Sequence, residues 1–160
     1  MRIALAGIIG FCLCVCIEPP RAQAAFCDQV RRVAAPGHFE QIKGEWDPEL
    51  EAYRSTTAID GSTCTISESL TSWRCRWRQS SRSAAEQHFR QLSHAVQECF
   101  AGDYHIDESG RNQDRGPLLG GPFSYFRVIL GQKVVRILVA VGGARTRSGD
   151  RWITSMSLNF

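Results

Sequence analysis

The sequence predicts an α+β protein. It would be an antiparallel sheet of about five to seven strands packed on one long amphipathic helix, with one sheet face open and disulfides stapling the whole. Three observations predict it. Several runs alternate in character at every second residue: "TSWRCRWRQ" (71–79) sets Trp73, Cys75 and Trp77 on one face and Arg74, Arg76 and Arg78 on the other. One long segment, after Ser83, carries apolar residues at helical spacing. Four cysteines remain once an N-terminal export segment is removed.

That export segment is residues 1–24, "MRIALAGIIGFCLCVCIEPPRAQA". An arginine precedes an apolar run from Ile3 to Ile17, a Pro19-Pro20 pair ends it, and Ala22-Gln23-Ala24 supplies small residues for a signal peptidase. Fifteen apolar residues, at about 1.5 Å each in a helix, fall short of a bilayer core roughly 30 Å thick, so a cleaved signal peptide is expected rather than an anchor. Residues directly before Cys12, Cys14 and Cys16 are large, unlike a lipoprotein site. The mature chain then starts at Ala25, and 25–160 forms a single domain. Its charge is close to neutral, which singles out no partner class, so any electrostatic argument is local. Arginine outnumbers lysine fifteen to two in it, a bias that favours bidentate contacts and that genome composition also produces.

Residues 25–35 read as a short helix with Phe26, Val30 and Val33 on one side, ended by Pro36-Gly37. A short strand is expected near Phe39 to Lys43, followed by β-rich runs around "YRSTTAI", "STCTISE" and the 71–79 stretch, separated by turns at Asp60-Gly61 and Ser69-Leu70. With Ser69-Leu70 as the hairpin loop, Cys64 falls opposite Cys75 and Ile66 opposite Trp73, which makes that face core. Ser83 to Glu86 has capping-box spacing, and Ala85, Phe89, Leu92, Val96 and Cys99 form a stripe, so the helix spans about 84–100 and ends at Gly102. The polar, glycine-rich stretch 103–121 reads as a loop with at most a short edge strand. "PFSYFRVIL" and "KVVRILVAV" flank a Gly131-Gln132 turn, placing Phe126, Val128, Leu130, Val135, Ile137 and Val139 on one face and Arg127 opposite Arg136 on the other. A last strand carries Trp152, Met156, Leu158 and Phe160 on one side.

Four cysteines allow three pairings. The favoured one joins Cys64 to Cys75 across the hairpin and Cys27 to Cys99 between terminus and helix; the runner-up joins Cys64 to Cys99 and Cys27 to Cys75. The chain has no Cys-x-x-Cys that would supply a poised thiolate, and an oxidising compartment disfavours metal-binding thiolates.

The leading candidate site is the arginine face: Arg74, Arg76 and Arg78, joined by Arg127, Arg136 and Tyr125. Like charges on neighbouring strands repel, and an anionic ligand would relieve that; the plain alternative is a solvated sheet back paired with loop carboxylates. Extended, "DYHIDE" (103–108) would align Asp103, His105 and Asp107 as an acid-base or hard-metal set. His88 flanks the helix stripe, and His94 with Glu98 makes an ordinary helix pair. Gly-x-Ser-x-Gly, His-Glu-x-x-His and phosphate-loop motifs are absent from the sequence, and no cofactor or metal is expected.

The terminal run ending in Phe160 is similar to the last strand of bacterial outer-membrane barrels. That resemblance covers ten residues, and the helix and the few alternating runs depart from the class. The expected function is that of an exported, periplasmic or secreted, non-enzymatic binding or accessory protein of the cell envelope. Its arginine-bearing sheet face would take an anionic polymer or acidic protein partner rather than nucleic acid, with no transmembrane segment after cleavage. The alternatives are an envelope hydrolase using the Asp103–Glu108 loop and His88, and a structural envelope component joined through a strand edge.

Overall fold

The computed structural model describes residues 21–160 apart from Pro36. Most of the expected signal segment lies outside the described residues, and the expected cleavage point after Ala24 falls in the first turns of α1 (Arg21–Val33). The chain continues through α2 (His38–Ile42), β1 (Lys43–Asp47), β2 (Ala52–Ser55), β3 (Thr63–Ser67), β4 (Ser72–Gln79) and α3 (Arg82–Cys99). It ends with β5 (Tyr104–Arg111), β6 (Leu118–Leu130), β7 (Lys133–Thr146) and β8 (Gly149–Asn159).

All eight strands form one antiparallel sheet in the order β1-β2-β3-β4-β8-β7-β6-β5. Two meanders, β1 to β4 and β5 to β8, are joined by the β4–β8 pair, and α3 carries the chain from the centre to the far edge at β5. Cys64 faces Cys75 and Ile66 faces Trp73, the register that the Ser69-Leu70 loop predicts. Arg127 likewise faces Arg136 across β6 and β7. Leu130 pairs with Lys133 around Gly131, which takes the positive φ of 62° that a two-residue hairpin turn requires and glycine supplies.

The core lies between one sheet face and the helices. Trp73, Phe126, Ile137, Met156 and Leu158 are fully buried there, and Val30 and Val33 of α1 join them beside Val96 of α3. Cys27 is bonded to Cys99 and Cys64 to Cys75. Arg31 donates to the Cys99 carbonyl beside the first of these bridges, so one cross-link and one charge-assisted hydrogen bond fasten α1 to the end of α3.

Four expectations are corrected. The sheet has eight strands, not five to seven, because 103–121 supplies the edge strand β5 and the start of β6 rather than a loop. At an edge the polar sequence is tolerated, since all of β5 but the half-buried Tyr104 is exposed. The strand expected at 39–43 is a single helical turn, in which Phe39 and Ile42 reach the core at i and i+3. The cap of α3 is Ser81, whose hydroxyl accepts from the Ala84 amide at 3.1 Å; Glu86 does not reach back but pairs with Arg82 at 3.2 Å and Arg111 at 2.8 Å. Finally, α3 shares its side of the sheet with α1 instead of covering it alone.

Candidate functional site

Strand register decides which side chains meet on the open face. Level with Arg74 on β4 are Ser157 on β8, Leu138 on β7, Tyr125 on β6 and Glu108 on β5, a row across five strands. The next row is Arg76, Ser155, Ala140, Phe123 and Gly110. Arg78 follows, level with Ile153 and Gly142. In the opposite direction lies the row of Ser72, Asn159, Arg136, Arg127 and His105.

The face is therefore divided. Arg74, Arg76 and Arg78 form one column, and Arg151 from β8 joins it in a depression of about 380 Å³ lined also by Ser155, Ser157 and Leu138. Small side chains on β8 and β7, among them Ser155 and Ala140, leave the arginines standing above the sheet. Gly143 keeps the two strands close, because a Cβ there would collide with the Arg151 carbonyl. A second hollow of about 360 Å³ runs from Arg151 and Ile153 to Arg78, Gln79 and Trp152, with Asp150 at its rim. A third, about 270 Å³, starts at Leu138 and runs to Phe123, Tyr125, Glu108 and Asn112. Shared residues join all three into one groove.

The electrostatics differ from arginine to arginine. Among the described residues, no carboxylate lies within 4.0 Å of Arg74, Arg76, Arg78, Arg136 or Arg151. Arg127 is paired: Asp107, two residues beyond its strand neighbour His105, meets it at 2.9 Å. Partial burial, and then the neighbouring Arg74 charge, lower the pKa of Arg76 from its ordinary value. A partly desolvated cation beside another cation is an unfavourable arrangement that an anion would relieve.

Tyr125 stands in the groove, 36% exposed, with Phe123 against it at 5.9 Å between ring centroids in an edge-to-face arrangement. Phe123 also lies over Gly110, where an added Cβ would come within 3.2 Å of its ring.

The acid-base set is not assembled. His105 lies on the open face level with Arg127, and Asp107, two residues on, is committed to the Arg127 guanidinium at 2.9 Å. His88 sits on the helix side of the sheet, its ring 5.1 Å from that of Trp77 and its Nδ1 accepting from Gln79 at 2.9 Å. Burial pushes its pKa down. Among the described residues, no group of three His, Cys, Asp or Glu side chains can hold a metal ion.

Sequence reasoning did not single out Arg151, Phe123 or Leu138, and it named Glu108 only as the end of the 103–108 stretch, not as part of this face. Arg151 and Phe123 were within reach: Arg151 precedes the core residue Trp152, and Phe123 is two before Tyr125. Glu108 was not, because its place in the row depends on the bulge. Comparison with protein-family models, curated proteins and solved structures finds no match to this chain.

Proposed function

We propose that the protein is a small non-enzymatic binding protein of the cell envelope, whose arginine-bearing open sheet face takes an anionic ligand. The observation that carries this reading is Arg76: partly desolvated, beside Arg74, lining a groove, and with no carboxylate near it among the described residues. Arg74, Arg78 and Arg151 complete the cationic wall, and Tyr125 stands across the groove from it. Arg136 borders the site, and Arg127 is largely neutralised by Asp107. Export to a periplasmic or extracellular compartment agrees with the two disulfides, which persist where the environment is oxidising. Among the described residues no helix is long and apolar enough to cross a membrane.

The test is retention on a polyanion matrix at low salt, comparing the oxidised protein with the quadruple variant Arg74→Ser, Arg76→Ser, Arg78→Ser, Arg151→Ser. The reading expects the variant to elute at clearly lower salt, with an unchanged fold by circular dichroism. Equal elution would return these arginines to a solvated sheet back.

A further inference from the structure

We infer that the groove takes a linear acidic polysaccharide whose carboxylates are spaced by neutral sugars. The inference rests on the anion-binding reading above and names the class of anion.

Shape is the first argument. The hollow at Arg74 and Arg76 shares Arg151 and Ile153 with the one at Arg78 and Leu138 with the one at Tyr125, so the three lie in succession, as a track, over β4, β8, β7, β6 and β5. Five strands about 4.8 Å apart give it a length of roughly 19 Å. Such a track suits an extended chain of several linked rings better than a single small anion. A lipid headgroup surface is broad and does not enter a groove.

The second argument is that the chemistry changes along the track. One end has Arg74, Arg76, Arg78 and Arg151, four guanidinium groups against the single carboxylate of Asp150 at its rim, and their planar forks match carboxylates in bidentate fashion. The middle has the hydroxyls of Ser155 and Ser157. The far end has Phe123 and Tyr125 with Glu108 and Asn112. An aromatic ring packs against the C–H face of a sugar ring, an apolar contact that needs no charge. Glu108 accepts hydrogen bonds from sugar hydroxyls and repels an anion. A chain charged at every unit, such as a polyphosphate or an all-acidic peptide, would meet that carboxylate, whereas a glycan with spaced charges presents a neutral ring there. Gly110 on the edge strand leaves room for the Phe123 ring beside Glu108.

The experiment is calorimetric titration of the oxidised protein with a hyaluronan octasaccharide, which alternates carboxylate-bearing and neutral sugars. Poly-glutamate of equal charge, a neutral chitin oligosaccharide and phosphatidylglycerol vesicles are the comparison probes. The variants are Arg76→Ser, Tyr125→Ala and Tyr125→Phe, with melting curves to establish that each folds. The inference expects saccharide binding that falls about tenfold or more in both Arg76→Ser and Tyr125→Ala and is kept in Tyr125→Phe. It also expects poly-glutamate, the neutral oligosaccharide and the vesicles each to bind at least about tenfold more weakly than hyaluronan. Poly-glutamate binding as tight as hyaluronan, insensitive to Tyr125→Ala but lost in Arg76→Ser, would overturn the polysaccharide and leave the anion-binding face standing. Preferential vesicle binding would overturn it in favour of a lipid surface. Arginine-independent binding, or none of any polyanion, would overturn both readings.

Discussion

The Asp107 carboxylate meets the Arg127 guanidinium at 2.9 Å, across a bulge that places one extra residue in the edge strand β5. Without that extra residue, Glu108 would lie opposite Ser124 on the helix side instead of level with Tyr125. Asp107 on the edge strand screens Arg127, while Arg76, three strands away, has no carboxylate within 4.0 Å among the described residues.

Replacing Asp107 by Asn frees the Arg127 charge on the open face. Affinity for a polyanion is expected to rise two- to fivefold at low salt, the scale of one exposed pair at about 0.5–1 kcal/mol. The gain should vanish at high ionic strength. Titrations at two salt concentrations read both effects.

Arg74→Ser and Arg76→Ser are expected to weaken anion binding without destabilising the fold. Each removes one of two adjacent like charges, and the change in unfolding free energy should stay within about 0.5 kcal/mol or be stabilising. Denaturant midpoints measured beside binding curves separate the two quantities. A loss above ~1 kcal/mol in both variants would identify the arginines as structural.

His88 predicts a pH dependence whose sign follows from its environment. Burial lowers its folded pKa below the ordinary ~6.5, so the unfolded chain takes up the proton first as pH falls. Stability is fully present above about pH 6.5 and is lost as pH falls from there through the folded pKa. Protonated Nδ1 no longer accepts from Gln79. Melting temperatures between pH 5 and pH 8 should show this slope, and His88→Gln should flatten it.

Opening the Cys27–Cys99 bridge, by Cys27→Ala with Cys99→Ala, removes a cross-link spanning 72 residues of sequence. The chain-entropy estimate for that loop is about 4.5 kcal/mol. Hydrogen exchange should then show α1 opening before the sheet, because the Arg31 hydrogen bond to Cys99 loses its anchor. Opening Cys64–Cys75 releases a shorter loop and is expected to cost about 3 kcal/mol, with α1 still docked.

Much of the fold was legible because strand alternation is a local signal. The buried set Trp73, Cys75, Trp77 and the exposed set Arg74, Arg76, Arg78 follow from a period of two, and the Cys64–Cys75 register follows from one hairpin loop. The edge strand β5 escaped because the burial that produces alternation is missing at a sheet edge. The Ser81 cap was missed because Ser83 with Glu86 has the right spacing; tertiary contact with Arg111 claims Glu86 instead.

By itself the sequence determined which side of the central strands β3, β4, β6, β7 and β8 is buried, that a long amphipathic helix packs in an α+β fold, and which residues can turn the chain. These depend on neighbours a few positions away. Only the tertiary structure decided that β4 pairs with β8, and with it that Arg74 shares a row with Ser157, Leu138, Tyr125 and Glu108. That pairing joins the two meanders across more than seventy residues of chain, and long-range packing, not local preference, sets it. The groove is a consequence of that one pairing, and the bulge in β5 sets Glu108 at its far end.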